Sequence, residues 1–468
     1  MGKIRLIIAI IVGKLMICLT KLTGSQGTVF PGRIALIICP EILKILGENI
    51  SEEIIVITGT NGKTTTSNMV AQILKEHDYS LVHNAAGANM ITGITTAFID
   101  KTNLIGTKIF HYALLETDEA NIPLLLKELT PKVVVITNFF SDQLDRFGQL
   151  DNIINLVKDA LRNTKIELVL NADDPLVTHF QSDTGLHCWY FGFKETDYDK
   201  KESFHNNKVG KYCVFCQSEL VFDKYHYAQL GKFYCPNCGN RNPEPNFVAH
   251  SLVMNPTISF WVNDIYIESP YQGFYNAYNI LAAVSIAKLV GLKDEFITNA
   301  IKIYQPQAGR MESFNIAAKK VILILVKNPI GLNQAMAALE QESQSKNILF
   351  ILNDNAGDSR DVSWIWETDL EMLATNQLNI NNFICAGTCS GDIAVRLKYS
   401  GFPAGNIVLV KNLAEGIEEL ITRDSEVCYV FTTYSALFSS RKMLIKYQDK
   451  YKADISALKV KDFMGMGE

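Results

Sequence analysis

The sequence predicts two successive α/β domains, each built on a mostly parallel sheet, with a small cysteine ribbon inserted in the first. Three observations predict it. From residue 54 onward short apolar runs alternate with longer amphipathic ones, as strands and covering helices do in parallel sheets. Residues 195–250 break that pattern: they are polar, rich in Cys, Asn and Tyr, and carry no helical period. After the turn-like Gln305-Pro306-Gln307-Ala308-Gly309 a second alternating series begins.

In the first series Ile54-Ile55-Val56-Ile57 reads as a buried strand, followed by a glycine-containing turn and a helix from Thr65 to about Lys75. Further strands are expected over 109–115, 132–137 and 166–170, and a helix over 276–290. In the second series strands are expected over 321–326, 348–352, 383–386, 407–410 and 427–432, with helices over 332–341 and 393–399 between them. The resulting division is an N-terminal apolar helical segment over 1–50, a central α/β domain over 51–305 with its ribbon at about 205–245, and a C-terminal Rossmann-like α/β domain over 306–468. A length of 468 residues accommodates these parts, and 48% hydrophobic with 20% charged residues is the composition of a globular chain with sizeable cores.

Forty-four basic against 49 acidic residues leave a net charge of −5, which argues against a nucleic-acid binder held by phosphate contacts. The ten cysteines form two tight pairs and a scatter, an intracellular pattern rather than a disulfide framework. The stretch from Ile4 to Leu22 is strongly apolar but carries Arg5 and Lys14, and its uninterrupted part, 6–13, is too short to span a bilayer. No small-residue cleavage site follows it. Three readings stand: a membrane-inserted segment, a helix packed on the protein itself, or a helix lying on the membrane surface.

Thr58-Gly59-Thr60-Asn61-Gly62-Lys63-Thr64-Thr65 lies between a strand and a helix. Glycines there let backbone N–H groups close around phosphate oxygens, and the helix N-terminus adds partial positive charge. Lys63 supplies a point charge, and the Thr64 hydroxyl is placed to bind Mg²⁺. Only Thr60 and Asn61 separate the two glycines, fewer than in the usual phosphate loop. Farther on, Cys213-x-x-Cys216 and Cys235-x-x-Cys238 form two knuckles able to complete a tetrahedral S₄ site for Zn²⁺. Such a site has no open position, so a structural role is expected; a redox pair is the competing reading, against which the surrounding segment lacks a βαβ pattern.

Gly-Thr-Asn-Gly-Lys-Thr resembles the ATP loop of the Mur ligase and folylpolyglutamate synthetase superfamily, and further matches follow in order. Glu116 ends an apolar strand where the superfamily places a Mg²⁺-binding glutamate; a carboxylate at that end of a parallel strand faces the ligand crevice. Thr137-Asn138 and Asp142-Gln143-Leu144-Asp145-Arg146-Phe147-Gly148 resemble an Asn…Asp-His-Leu-Asp segment, with Gln143 in place of a metal-binding histidine. Asn171-Ala172-Asp173-Asp174-Pro175 is another such block. Asn276-Ala277-Tyr278-Asn279 resembles a helix start whose second Asn, here Asn279, reads adenine. Gly309-Arg310-Met311-Glu312 resembles a segment whose arginine, here Arg310, reaches the ATP phosphates. The strand at 323–329 lacks the acid that related ligases use for ribose.

The ribbon, Gly87-Ala88-Asn89-Met90, Lys327-Asn328-Pro329 and the segment Asn353-Asp354-Asn355…Asp358-Ser359-Arg360-Asp361-Val362-Ser363-Trp364 narrow the resemblance. They are similar to the branch whose members are ligase subunits of lipid II isoglutaminyl synthases. The resemblance implies ATP-dependent amidation of a D-glutamate α-carboxylate, with Mg²⁺ at Thr64 and Glu116 and with Lys63 and Glu116 catalytic. The same likeness points to a separate glutaminase-type (GatD-like) subunit that supplies ammonia in a heterodimer, and to a cytoplasmic location at the inner membrane face beside lipid II. Asp361 is then expected to orient the partner's catalytic histidine, with Asp354 and Asp358 in reserve. Two rivals stay open: an amino-acid-adding ligase of the same superfamily, and a zinc-ribbon ATPase that binds nucleic acid.

Overall fold

The computed structural model describes residues 2–22, 29–85, 88–140, 150–201, 210–254, 257–305, 308–340, 342–355, 357–358, 360–375 and 378–465. The chain divides into two compact units, the first taking nearly all residues up to Tyr304, the second Gln305 onward together with Tyr271–Gly273.

The first unit contributes β1 (Ile50–Thr58), β2 (Leu81–His83), β3 (Phe110–Glu116), β4 (Val133–Ile136), β5 (Glu167–Asn171) and β6 (Cys188–Phe193). A hairpin follows, β7 (Val221–Tyr227) and β8 (Leu230–Tyr234), then β9 (Phe247–Val253), β10 (Ile258–Val262) and β11 (Ile265–Ser269). All but the hairpin form a nine-stranded sheet in the order β11-β10-β9-β6-β5-β4-β1-β3-β2. From β2 to β9 neighbouring strands are parallel; β9, β10 and β11 form an antiparallel meander. Ile55, Val56 and Ile57 are fully buried, as central strands covered on both faces require. The strand order reverses at β1: the chain leaves it toward β2 and later returns to its other side as β4. Ligands of open α/β sheets bind beyond the carboxyl ends of strands at such a point.

The N-terminal helix Gly2–Leu22 buries Leu6, Ala9, Ile10, Gly13 and Ile17, which join one core with Ile94, Phe98 and Ile99 of the helix Ile91–Lys101. A Cβ on Gly13 would lie 3.0 Å from Ile99 Cγ2, so the two helices approach closely there. Gly32, in the helix Phe30–Ile38, is tighter still, since its Cβ would sit 1.9 Å from the Thr92 carbonyl oxygen. Packing on its own domain thus accounts for one face of the first helix. Among the described residues no helix is long and apolar enough to cross a membrane.

The second unit holds β12 (Arg310–Ile316), β13 (Lys319–Leu325), β14 (Lys346–Ile351), β15 (Ile380–Ala386), β16 (Ile407–Leu409) and β17 (Val427–Thr432), in the order β12-β13-β17-β14-β15-β16. Only β12 runs antiparallel to its neighbour. The order reverses between β14 and β17. The helix expected from Leu332 starts at Pro329, because Asn328 Oδ1 accepts the Gly331 N–H at 2.8 Å and proline needs no donor partner in the first turn. Within 195–250 the hairpin and β9 are found, and β10, β11 and the helix Tyr434–Gly465 lie outside every expected element.

Candidate active site

The loop 59–62 closes the mouth of β1, and three features hold it there. Gly59 (φ +118°) leaves no room for a side chain: its Cβ would be 2.3 Å from Thr137 Oγ1 and 2.8 Å from the Asn138 carbonyl oxygen. Gly62 (φ +88°) precedes the helix Lys63–Glu76, and a Cβ there would stand 2.1 Å from Asn279 Oδ1. Asn138 clamps the loop at both ends of one residue. Its Oδ1 accepts the Asn61 N–H at 3.0 Å and its Nδ2 donates to the Asn61 carbonyl at 3.1 Å, while its own carbonyl accepts the Thr60 N–H at 2.9 Å. Thr137 Oγ1 donates to the Asn61 carbonyl at 2.7 Å, and Thr60 Oγ1 exchanges hydrogen bonds with the Phe140 backbone. A loop fixed by its own backbone needs little rearrangement to meet an anion.

Lys63 is buried. Its ammonium donates to the Gly59 carbonyl, to the Thr60 carbonyl at 3.3 Å, and to the carboxylate of Glu119 at 3.3 Å. Glu119 is itself buried and was invisible to sequence reasoning, because an acid three residues after a strand reads as a cap. Glu116 stands in register with Ile57, and its backbone exchanges two hydrogen bonds with the Asn84 side chain, at 2.9 and 2.7 Å. Thr64 is half-buried and Thr65 buried in the first turn of the helix. Asn279 donates from Nδ2 to Asn276 Oδ1 at 3.1 Å, and its carbonyl accepts the Thr66 hydroxyl at 3.4 Å. Lys63, Glu116, Asn138 and Asn279 therefore gather around one loop. Arg310 opens β12 in the second unit, opposite Ile324. The segment Asp142–Gly148, which includes Gln143, and Gly87 lie outside the described residues.

The sulfurs of Cys213, Cys216, Cys235 and Cys238 all lie within 4.8 Å of one another. Zn–S bonds of about 2.3 Å in a tetrahedron require sulfur separations of just under ~4 Å, so the set fits the ion. The two knuckles are built alike. In each, the first cysteine's carbonyl accepts an N–H four residues on, from Gln217 at 2.9 Å and from Gly239 at 3.0 Å, and both donors have positive φ. Hydrogen bonds from Ser218, then Asn237, lower the Cys216 thiol to about 6, whereas against the Asn240 N–H burial and the neighbouring sulfurs push Cys238 up to about 12, so the fit to a metal rests on the sulfur geometry. Asp173 fastens the hairpin to the main sheet. It takes the Lys232 ammonium at 2.7 Å, the Tyr278 hydroxyl at 2.8 Å and the Phe193 N–H at 2.8 Å. Its neighbour Asp174 is wholly buried, and burial pushes its carboxyl up to about 6 although Phe139 and Leu176 N–H groups donate to it.

In the second unit the loop after β14 meets the turn after β17. Asn353 Nδ2 and Asn355 Nδ2 both donate to Ser435 Oγ, at 2.9 and 3.0 Å. The three acids differ sharply. Asp358 is buried, and its Oδ1 accepts the Ser435 N–H at 2.6 Å, capping the C-terminal helix. Asp354 is exposed but takes the Thr388 hydroxyl at 2.8 Å. Asp361 is exposed and accepts the Ser363 N–H at 2.8 Å; hydrogen bonds from Ser363 hold its carboxyl below the usual carboxylate range. Burial pushes the Cys385 thiol up to about 12, which removes it as a nucleophile at neutral pH, and raises Cys428 as well.

A family model described as the Mur ligase middle domain matches residues 57–238, and one described as the MurT ligase C-terminal domain matches residues 325–437. A lipid II isoglutaminyl synthase (glutamine-hydrolyzing) subunit MurT from Staphylococcus aureus (strain COL) is 38% identical over 392 residues, covering 83% of this chain and 87% of that relative. The subunit of the same name from Streptococcus pneumoniae (strain ATCC BAA-255 / R6) is 34% identical and covers 91% of this chain and 94% of its own length. Among solved structures, a pseudomurein peptide ligase type C from Methanothermus fervidus superposes with a TM-score of 0.65 at 20% identity, covering 86% of this chain and 80% of that one. MurF from Acinetobacter baumannii gives 0.62 at 17% identity, covering 88% and 80%. At such identities the structures speak for the fold, which is that of the Mur ligases.

Proposed function

This chain belongs to the MurT family of Mur-type ligases, and from that premise we propose that it amidates the α-carboxylate of D-glutamate in the lipid II stem peptide. A carboxylate oxygen attacks the γ-phosphorus of ATP, ADP leaves, and an acyl phosphate forms. Ammonia attacks the carbonyl carbon, the C–O bond to phosphate breaks, and the nitrogen loses a proton, leaving D-isoglutamine and inorganic phosphate. The observation that carries this reading is the closed phosphate loop around buried Lys63 at the strand-order reversal, in a chain similar to MurT subunits through both units.

Lys63 and the loop from Gly59 to Gly62 would hold the phosphates, Asn138 keeps that loop closed by accepting the Thr60 and Asn61 N–H groups, and Asn279, beside Gly62, would read adenine. Thr64 and Glu116 would hold Mg²⁺, which would supply charge neutralisation at the transferring phosphoryl group. Glu119 pairs with Lys63 and neutralises that buried ammonium. The four paired cysteines hold one Zn²⁺ as a structural centre.

An acyl phosphate hydrolyses in water, so ammonia must reach it in a closed site. A glutamine amidotransferase subunit (GatD-like) supplies it, in a heterodimer working at the inner face of the membrane where lipid II lies. Of the three acids we assign Asp361 to that partner: Asp358 is buried as a helix cap, whereas Asp354 and Asp361 are both exposed with one hydrogen bond each, to the Thr388 hydroxyl and the Ser363 N–H. A carboxylate there would hold the partner's histidine in the tautomer its nucleophile needs.

The test supplies ATP, Mg²⁺ and lipid II to the co-purified complex, with glutamine, ammonium or single amino acids as nitrogen donors, and reads the product by mass spectrometry. Amide formation with glutamine and ammonium is the expected result. Transfer of an intact amino acid would replace this reading with the amino-acid-adding one, and salt-dependent binding to DNA or RNA without amidation would replace it with the nucleic-acid one.

A further inference from the structure

The N-terminal helix uses only half of its apolar surface. With about 3.6 residues per turn, Leu6, Ala9, Ile10, Gly13 and Ile17 line one side and pack into the first unit. Ile4, Ile8, Ile11, Leu15, Leu19 and Leu22 fall on the opposite side and are exposed, Ile4 at 67%, Leu15 at 57% and Leu22 at 78%. A helix packed on its own domain through one face normally carries polar residues on the other. This one carries an unbroken aliphatic row. The next helix repeats the feature, with Phe30 and Ile37 exposed two turns apart and Arg33 exposed beside them.

The charges say what covers the row. Gly2–Leu22 contains Lys3, Arg5, Lys14 and Lys21 and no acid. Lys3, Lys14 and Lys21 flank the row on one side, and Arg5 lies on the other, so cations border the aliphatic stripe without interrupting it. Asp100, on the packed side, takes the Lys21 ammonium at 3.5 Å, and its carbonyl accepts from Lys14 at 3.1 Å. An aliphatic row edged by long cationic side chains is the pattern of a helix lying in a lipid interface, where the ammonium groups reach the headgroup phosphates. Four cations within its 21 residues, and one side packed into the first unit, suit a helix lying along the surface rather than crossing a bilayer.

We propose that the row Ile4, Ile8, Ile11, Leu15, Leu19 and Leu22 docks this chain onto an anionic lipid surface. The docking rests on the helix and not on the amidation reading, although a lipid-linked substrate gives it a purpose.

The test is flotation of the full chain, in complex with its partner subunit, on vesicles of phosphatidylcholine alone or with phosphatidylglycerol. The protein should float with the anionic vesicles, and added salt should weaken that association. Replacing Ile8, Leu15 and Leu19 together with serine should cut binding by about tenfold or more, because the apolar area leaving water is lost. All three side chains are exposed, so melting temperature should hold. Turnover of a short-chain, water-soluble substrate analogue should also be unchanged. As a second readout, tryptophan emission from an Ile11→Trp variant should shift to shorter wavelength only with anionic vesicles. The proposal is overturned if the protein stays unbound on both vesicle types, or if the triple-serine variant floats as well as the parent. It is also overturned if the parent is a self-associated species that the triple variant breaks up while neither binds lipid. Binding without any amidation would leave the docking standing and remove the functional reading instead.

Discussion

Both units place a polar loop beyond the carboxyl ends of parallel strands where the strand order reverses, yet the two loops are built for different occupants. In the first unit the loop after β1 turns inward. Its backbone is pinned by Asn138 and Thr137, its lysine is buried, and its glycines have no space for side chains. In the second unit the loop after β14 is pinned by Asn353 and Asn355 to Ser435, but it leaves Asp361 exposed and ionised. The same topology therefore carries a closed loop around a buried lysine in one place and an open loop with an exposed, ionised acid in the other.

Separating the two nitrogen sources breaks this comparison most sharply. Asp361→Asn should lower glutamine-dependent amidation by a factor on the order of 10³ or more, as expected when an acid that fixes a catalytic histidine's tautomer is lost. Amidation driven by added ammonium salts should be unchanged, because the phosphate loop is untouched. A folding defect would depress both arms. If Asp361→Asn keeps glutamine-dependent activity while Asp354→Asn or Asp358→Asn loses it, the acid is misassigned; if all three keep it, the loop is a docking surface only.

Lys63→Ala should act in the opposite manner, lowering both arms by a factor on the order of 10² through loss of charge stabilisation at the phosphates. The substitution also strands Glu119, a buried carboxylate, which by itself destabilises. The double variant Lys63→Ala/Glu119→Gln removes that complication: it should melt like the parent and still turn over slowly. Near-normal turnover in either would remove Lys63 from the phosphate site.

What could be seen in the sequence follows the same division. The phosphate loop was legible because its chemistry resides in backbone geometry, and glycine, lysine and threonine at fixed spacing reveal it. The paired cysteines were legible for the same reason. Glu119 was not, since nothing local distinguishes it from a surface acid; only the fold brings it to Lys63. Nor were the differing environments of Asp354, Asp358 and Asp361, which depend on Thr388 and Ser435 from other parts of the second unit. The meander strands β10 and β11 do carry a period of two, as in Ile265-Tyr266-Ile267-Glu268, and the buried–exposed pattern follows it. At five residues each, the two strands are too short for that period to stand out from the polar turns around them. The first helix was ambiguous because both of its faces are apolar, and the structure buries one of them.

The smallest expected effect belongs to the ribbon, which tests whether the first unit's loop is independent of its insertion. The hairpin is held to the main sheet by Asp173, and Gln229 donates to the carbonyl of Phe139, the residue after the loop clamp Asn138. Its own core is small: Cys213, Leu220, Phe233 and Cys235. A core of that size contributes little apolar burial of its own, so a bound metal would supply much of its stability. Elemental analysis should find about one zinc per chain, as a single S₄ site requires. Cys213→Ser should then lower the melting temperature by several degrees, on the scale of ~2–4 °C per kcal/mol for a protein of this size. The KM for ATP should rise by no more than about threefold, since the link through Phe139 reaches the clamp only indirectly and a loss of 1 kcal/mol corresponds to roughly fivefold. A metal-free preparation as stable as the parent would remove the structural zinc. A large rise in KM with the melting temperature unchanged would show that the ribbon shapes the phosphate loop, and the division between a self-sufficient first loop and a partner-dependent second one would fail.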